Sequence, residues 1–414
     1  MPGSATAFAV LPGRLNPLVN SRFSAGIVSA LGLTQIISYG TLYYSFSILA
    51  PGMAKDLDLS PAQVFGVFSF SLFIGGLSAI YIGRQMDRIG AATIMTIGSA
   101  LAALMLVLCA WAPSVALFAM AVILLEVSSG MVQYQAAFAT LVESDAHGAS
   151  RSITYLTLIG GFASTIFWPI STALAGHLSW REIYLLFAAL NLVICMPLHF
   201  WIRSRGRAAS GTPVMARPPV AGAVPPHMRQ RVMIIVSMAF ALLSFTLSAM
   251  LVHMVPMLGS IGLGAAAVVI GSLFGPAQVL SRLINMVFGK RLSPPALAVV
   301  SAVLIVSGVL ILLLTGDWLP GAVAFAICLG LGSGINSIAQ GSLPLYLAGS
   351  EGYGAMTGKL TAARLAVGAV APFAFAAATE NVGLGFALAA NAGLGALSIA
   401  AFIVVARSCR AQAA

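Results

Sequence analysis

Twelve runs of eighteen or more mostly apolar residues, separated by short polar breaks, constrain this chain more than any other feature. They lie at roughly 25–50, 62–83, 91–111, 115–142, 152–175, 181–203, 231–258, 264–288, 295–315, 319–347, 353–379 and 384–406. At about 1.5 Å per residue, each can cross a hydrocarbon layer roughly 30 Å thick. Lipid offers no partner for backbone N–H and C=O groups, so a spanning segment is a helix or part of a closed barrel. Continuous runs of this length, without period-two alternation, read as helices. The expected fold class is an all-α membrane protein of twelve transmembrane helices. Composition excludes a water-soluble domain: of 414 residues, 60% are hydrophobic and 7% charged, and the mean hydropathy is +1.01. A net charge of +10 could suit nucleic acid, but the basic residues sit between the apolar runs. The lipid bilayer is the expected partner, and nucleic acid is not.

The Lys and Arg count by loop sets orientation. With the N-terminus cytoplasmic, the inner loops and ends hold Arg14, Arg22, Arg84, Arg88, Arg151, Arg203, Arg205, Arg207, Arg217, Arg229, Arg231, Lys290, Arg291, Arg407 and Arg410. The outer loops hold only Lys55 and Arg181, and Arg282, Lys359 and Arg364 fall within spans. Both ends are expected inside, in an inner (plasma) membrane protein. The apolar run Ala5 to Leu11 is too short for a cleaved signal peptide, so the first span is retained. The longest polar interval, 204–230, is rich in Arg and carries Pro213, Pro218, Pro219, Pro225 and Pro226. It reads as a semi-extended cytoplasmic linker between halves 1–203 and 231–414. Weak internal similarity supports two repeats: Ser129-Gly130 and Ser333-Gly334 are 204 apart, as are Leu141 and Leu345, and Gly83-Arg84 lies 206 before Gly289-Lys290. Pro51, Pro169, Pro256, Gly275-Pro276, Pro344 and Pro372 are expected breaks in spans. Cys109, Cys195, Cys328 and Cys409 have no ligand spacing and read as packing residues. No cofactor, metal site or enzyme motif is indicated.

Polar groups inside the spans are the candidate site. An arginine held in lipid costs about 2.5–3.5 kcal/mol or more, so Arg282 is expected to face a water-filled path and hold an anion, with snorkelling as the other reading. Gln278 lies four residues earlier on the same helical face, just after Gly275-Pro276. Arg364 falls about mid-span, and either binds substrate or pairs with Glu126. Glu126, also mid-span, is either a proton-coupling acid or a structural acid bonded to a neighbouring helix. Lys359 is read as snorkelling. Gln35, Tyr39 and Tyr43 form a stripe at spacing four, suited to donating to a carboxylate or to plain packing. Asn336 and Gln340, also four apart, either line the cavity of Arg282 or bond between helices. Tyr134 and Tyr155 are weaker cavity candidates. His253 and His199, near span ends, are read as interfacial anchors, Trp168-Pro169 as a kink and Trp318 as a belt residue.

Between spans two and three stands Gly83-Arg-Gln-Met-Asp87-Arg88-Ile-Gly90. It resembles the G-x-x-x-D-[RK]-x-G signature of the major facilitator superfamily, at the loop where that family places it. The family's trailing basic residues are replaced by Ala91-Ala92-Thr93, and Ser293 stands where the second half would carry Asp. The resemblance implies two six-helix pseudo-repeats, a secondary transporter acting as a monomer, and a cytoplasmic gate at Gly83, Asp87, Arg88 and Gly90. Ser38-Tyr-Gly-Thr-Leu-Tyr-Tyr-Ser-Phe-Ser-Ile in span one and Gln278-x-x-x-Arg282 in span eight resemble the monocarboxylate transporter and oxalate/formate exchanger branch. That branch implies a carboxylate bound by Arg282, with Arg364 or Lys359 in the helix-eleven role, moved by proton symport or anion exchange. Gln278 replaces the branch's acid, and its helix-one cation is missing. A proton-coupled efflux carrier for amphipathic or cationic compounds is the alternative.

Overall fold

The computed structural model describes residues 17–210, 219–289 and 292–410, with side chains left out also at 17–24, 61–62, 206–210 and 410. The expectations resting on Ala5 to Leu11, Arg14, Arg22, Arg207, Pro213, Arg217, Pro218, Lys290, Arg291 and Arg410 fall outside what is described. Within it, twelve helices are long and apolar enough to cross a membrane: Ala25–Asp56, Gln63–Ile89, Ala91–Trp111, Val115–Ser144, Ala149–Ala175, Trp180–Arg205, Pro226–Leu263, Ala266–Phe288, Pro294–Thr315, Leu319–Ala348, Tyr353–Asn381 and Leu384–Cys409. These are spans one to twelve, and the described chain has no β-strand, only one isolated bridge, Ala221 to Gly349.

Local sequence sets the ends of the spans. Ser60 and Ser179 each close a reciprocal capping box, with Gln63 and Glu182, at the starts of spans two and six. Gly90, at φ 90°, ends span two and starts span three in one residue, a backbone geometry that glycine alone adopts cheaply. The orphaned N-terminus of span three is closed from a distance, as both carboxylate oxygens of Glu143 accept the Ala91 N–H at 2.9 and 3.0 Å.

The breaks are not where proline predicts them. Helices run through Pro51, Pro169, Pro256, Pro344 and Pro372, and of the expected positions only Gly275-Pro276 adjoins an interruption, at Leu273. A neighbouring helix makes up the missing donor: Pro372 cannot bond the Gly368 carbonyl, and Ser248 Oγ donates to it instead at 2.9 Å. The actual irregularities are wide π-helical turns at Gly40–Tyr44, Asn191–Cys195 and Gly259–Leu263, and gaps after Gly130 in span four and Gly160 in span five.

Side-chain packing divides the spans into two bundles. One buried apolar cluster runs from Val224 to Cys409 and so belongs to the last six spans. Two others belong to the first six, except that Leu345 and Tyr353 from the second bundle join the one built around Met86, Phe138 and Ile153. That junction lies on the side of the molecule where the described chain begins and ends. Histidine 199 corrects an expectation here: it is fully buried rather than interfacial. Its Nε2 lies 3.0 Å from Thr34 Oγ1 and its Nδ1 2.8 Å from Ser99 Oγ. The Thr34 hydroxyl is itself donated to the Leu31 carbonyl, and the ring ties spans one, three and six.

Candidate functional site

Between the bundles lies a cavity of about 290 Å³. Arg282, Arg364, Tyr39, Tyr43, Gln278, Asn336, Gln340 and Glu126 all line it. Sequence reasoning missed Tyr44, Gln133, Gln135, Ser333, Ser337 and Thr361, and ranked Tyr134 too low. Tyr155 lies elsewhere, its hydroxyl accepting from Arg151 Nε at 2.8 Å. Lys359 is exposed and outside the lining. Gln35 is buried behind the wall, where its Nε2 donates to the Val132 carbonyl in the gap of span four at 2.7 Å.

Span one carries the aromatic wall. Its π-helical turn at Gly40–Tyr44 is wider than an α-turn, so Tyr44 joins Tyr39 and Tyr43 on the cavity side. Glycine is needed at position 40 because a Cβ there would overlap the Phe167 ring. The rings run in contact: Tyr43 to Tyr44 at 5.3 Å, Tyr44 to Tyr39 at 6.2 Å, Tyr39 to Tyr134 at 4.8 Å, and Tyr134 stacked on Phe138 at 5.3 Å. Below them Glu126 is 8% exposed, in space left by Gly75, where a Cβ would come within 2.8 Å of its Cγ. Among the described residues Glu126 has neither a hydrogen bond nor an ion pair. The structural reading of this acid, as one bonded to a neighbouring helix, finds no partner.

The second bundle supplies the cations. Arg282 is 4% exposed and reaches across the junction, Nη1 donating to the Thr157 carbonyl at 3.0 Å and Nε to Ser337 Oγ at 3.2 Å. Thr157 lies at the C-terminal turn of the first part of span five, at the negative end of the helix dipole, and its carbonyl also accepts the Gly161 N–H at 3.0 Å. The contact depends on Gly161, since a Cβ there would fall on the guanidinium. Snorkelling to headgroups is thereby replaced by a bond between the bundles. Gln278 is tied down, its Nε2 donating to Ser333 Oγ at 2.9 Å, and Asn336 is buried with its Oδ1 unbonded. Arg364 is half-buried, with Tyr39 and Tyr43 as its electrostatic neighbours. Among the described residues the one ion pair is Arg181 with Asp56 at 3.8 Å, remote from the cavity, so neither arginine has a carboxylate within bonding range.

On the side of the chain ends a second set of contacts joins the bundles. Asp87, at the end of span two, accepts the Gly354 N–H at 2.8 Å and the Ala355 N–H at 2.7 Å, one on each carboxylate oxygen. These are free donors in the first turn of span eleven, where a negative charge also meets the positive end of the helix dipole. Gly83, Gly354 and Gly358 let the two backbones touch: a Cβ on Gly83 would overlap the Gly354 carbonyl, and one on Gly358 the Ala79 carbonyl. Arg88 is exposed and makes no cross-bundle bond among the described residues.

Twelve spans in two bundles around a central polar cavity define a multi-pass membrane carrier. The description "Major Facilitator Superfamily" matches residues 31–372, and the chain belongs to that family of secondary transporters. Among curated relatives, the multidrug resistance protein MdtL of Escherichia coli O127:H6 is 29% identical over 169 residues, covering 39% of this chain and 41% of that protein. The chain thus matches about two-fifths of the length of that relative. The crystal structure of the transporter FucP in the outward conformation superposes with TM-score 0.69 at 13% identity, covering 91% of this chain and 98% of FucP. The human organic anion transporter MFSD10 superposes with TM-score 0.68 at 15% identity, covering 92% and 99%. The proton:xylose symporter XylE gives 0.70 at 13% identity, covering 92% and 95%.

Proposed function

We propose that the chain is an alternating-access carrier for a small organic anion, in the simplest case a carboxylate, moved by proton symport or by anion exchange. The observation that carries this reading is the pair of guanidiniums on one cavity, with no acid among the described residues within 4.0 Å of either. A buried unpaired charge costs on the order of several kcal/mol. A bound anion offsets that cost, and the occluded state becomes accessible once the cavity is filled. Arg364 and Arg282 supply charge, Tyr39 and Tyr43 supply hydroxyl donors, and Gln278, Asn336 and Gln340 supply amides. Glu126 is the proton site. Without a proton the empty cavity rocks poorly, which favours exchange.

In this reading the halves 1–203 and 231–414 rock about the linker 204–230, and the Lys and Arg bias makes the side of the chain ends cytoplasmic in a plasma membrane. Gly83, Asp87, Arg88 and Gly90 form the inner gate, closed here through Asp87. The carrier works as a monomer. Uptake of labelled lactate, pyruvate, oxalate or benzoate into proteoliposomes tests it. Transport of at least one, lost in Arg364→Ala, is the expected result, and transport of none would remove the substrate class.

A second reading is favoured by Glu126 on the cavity wall and by the partial match to MdtL. It is proton-coupled efflux of amphipathic or cationic compounds, with the arginines structural. Export of a lipophilic cation, abolished in Glu126→Gln and unchanged in Arg364→Ala, would select it.

A further inference from the structure

From the walls of the same cavity we infer that the substrate is an arylcarboxylate with a single negative charge, its ring seated on the tyrosines and its carboxylate on Arg364. The inference rests on the organic-anion reading above and narrows it. The two arginines are not equivalent. Arg282 already spends donors on the Thr157 carbonyl and Ser337 Oγ, whereas Arg364 has no hydrogen bond or ion pair among the described residues and keeps its planar fork for a carboxylate. One free fork matches one carboxylate. The cavity that Arg364 lines is aromatic: Tyr39 and Tyr43 share it, and Tyr44, Tyr134 and Phe138 continue the ring chain at centroid spacings of 4.8 to 6.2 Å. Phe240 closes the opposite wall. At about 290 Å³ the cavity sits near the lower end of the roughly 300–1,000 Å³ of small-molecule sites, larger than a two- or three-carbon acid needs. Such an acid would satisfy Arg364 and leave the tyrosine faces against water. An aryl acid covers both, through ring-on-ring contact and the cation.

The test uses the full chain in proteoliposomes, with labelled benzoate as probe and pyruvate, oxalate and cyclohexanecarboxylate as competitors. The last has the bulk of benzoate without its π-face. The expected result is benzoate uptake competed at least tenfold better by unlabelled benzoate than by any of the three. Arg364→Ala abolishes uptake. Tyr39→Leu lowers benzoate affinity roughly fivefold to tenfold, bringing it to the level of cyclohexanecarboxylate, while Tyr39→Phe retains the preference of benzoate over cyclohexanecarboxylate, because the ring and not the hydroxyl sets that preference. Should Tyr39→Leu fail to fold, Tyr134→Leu carries the same expectation. Pyruvate or oxalate transported as well as benzoate, in an Arg364-dependent way, overturns the aromatic assignment and leaves the anion carrier standing. Absence of any carboxylate transport, or benzoate uptake untouched by Arg364→Ala, overturns both.

Discussion

The two bundles wall the cavity with opposite chemistry. The first contributes rings and one acid, Tyr39, Tyr43, Tyr44, Tyr134 and Glu126, while the second contributes both cations, three of the five amides and the serine and threonine hydroxyls. A few matching positions recur between them at an offset of 204, and around those positions the local structures differ. Span four and span ten show it. After Ser129-Gly130 the helix opens at Met131–Gln133, and Gln35 bonds the freed Val132 carbonyl. After Ser333-Gly334 the helix continues unbroken, and Gly334 instead admits the backbone of span eight at Gln278. The gates differ as well: Asp87 holds span eleven across the junction, whereas the matching region of the second bundle offers Ser293. A charged acceptor on one side only means that the carboxylate contacts across the junction are one pair of bonds at Asp87, not two symmetric pairs.

The largest effect should come from removing the charge of the second bundle. Arg364→Leu is expected to reduce anion transport by more than 100-fold, because the bidentate partner of the substrate goes with it. Glu126→Gln, on the first bundle, is expected to keep anion binding while flattening the pH dependence of uptake. Binding by thermal shift, alongside uptake at several pH values, separates the two; equal losses in both variants would mean that the division of labour between the bundles is wrong.

Next in size is the gate. Asp87→Ala removes two charge-assisted bonds at an exposed helix start, together about 1–2 kcal/mol, or roughly 5- to 30-fold in the ratio of closed to open states. Labelling of a cysteine placed on the inner face of span eleven should rise accordingly. Gly161→Ala acts more weakly, because the nearest atom to the new methyl is the mobile end of Arg282, while the Thr157 and Leu158 carbonyl oxygens lie further off at 3.1 and 3.2 Å. The guanidinium moves off Thr157, one inter-bundle bond of about 1 kcal/mol is lost, and the same labelling assay should rise several-fold.

How much of this was legible follows from what each signal measures. Apolar length alone marks the twelve spans, since lipid leaves a backbone few options. Arg282, Arg364 and Glu126 stand out because a charge in a span needs a reason, and all three line one cavity. The breaks were not legible. A hydropathy window averages over Gly130–Gln133, and proline marks a lost donor without telling whether a neighbour such as Ser248 replaces it. Counting by four found Tyr39 and Tyr43 but not Tyr44, because the π-helical turn shifts the register by one residue. His199 was misjudged for a related reason: its depth along the span is visible in sequence, but the hydroxyls of Thr34 and Ser99 that bury it come from spans far away in the chain.

The smallest effect is expected where the second bundle was predicted to lack a gate. Ser293 begins span nine in an extended conformation at φ −71° and ψ 154°, the position for a capping hydroxyl, yet its side chain caps nothing. Ser293→Ala should therefore stay within about 0.5 kcal/mol of the parent in thermal unfolding, and leave cysteine labelling at both faces unchanged. Ser293→Asp sharpens the comparison, because an acid restored by sequence symmetry acts as a gate only if an N-terminal turn of the first bundle lies within reach. Span five starts on the same side as span eleven, but its first turn begins at Gly148, where a Cβ would crowd the Asp145 carboxylate of its own bundle. A local acid already stands at that helix start, so a second one from across the junction would meet like charge. The expected outcome of Ser293→Asp is no added protection of span five, and protection equal to that lost in Asp87→Ala would show that the bundles differ by one residue and not by design of the junction.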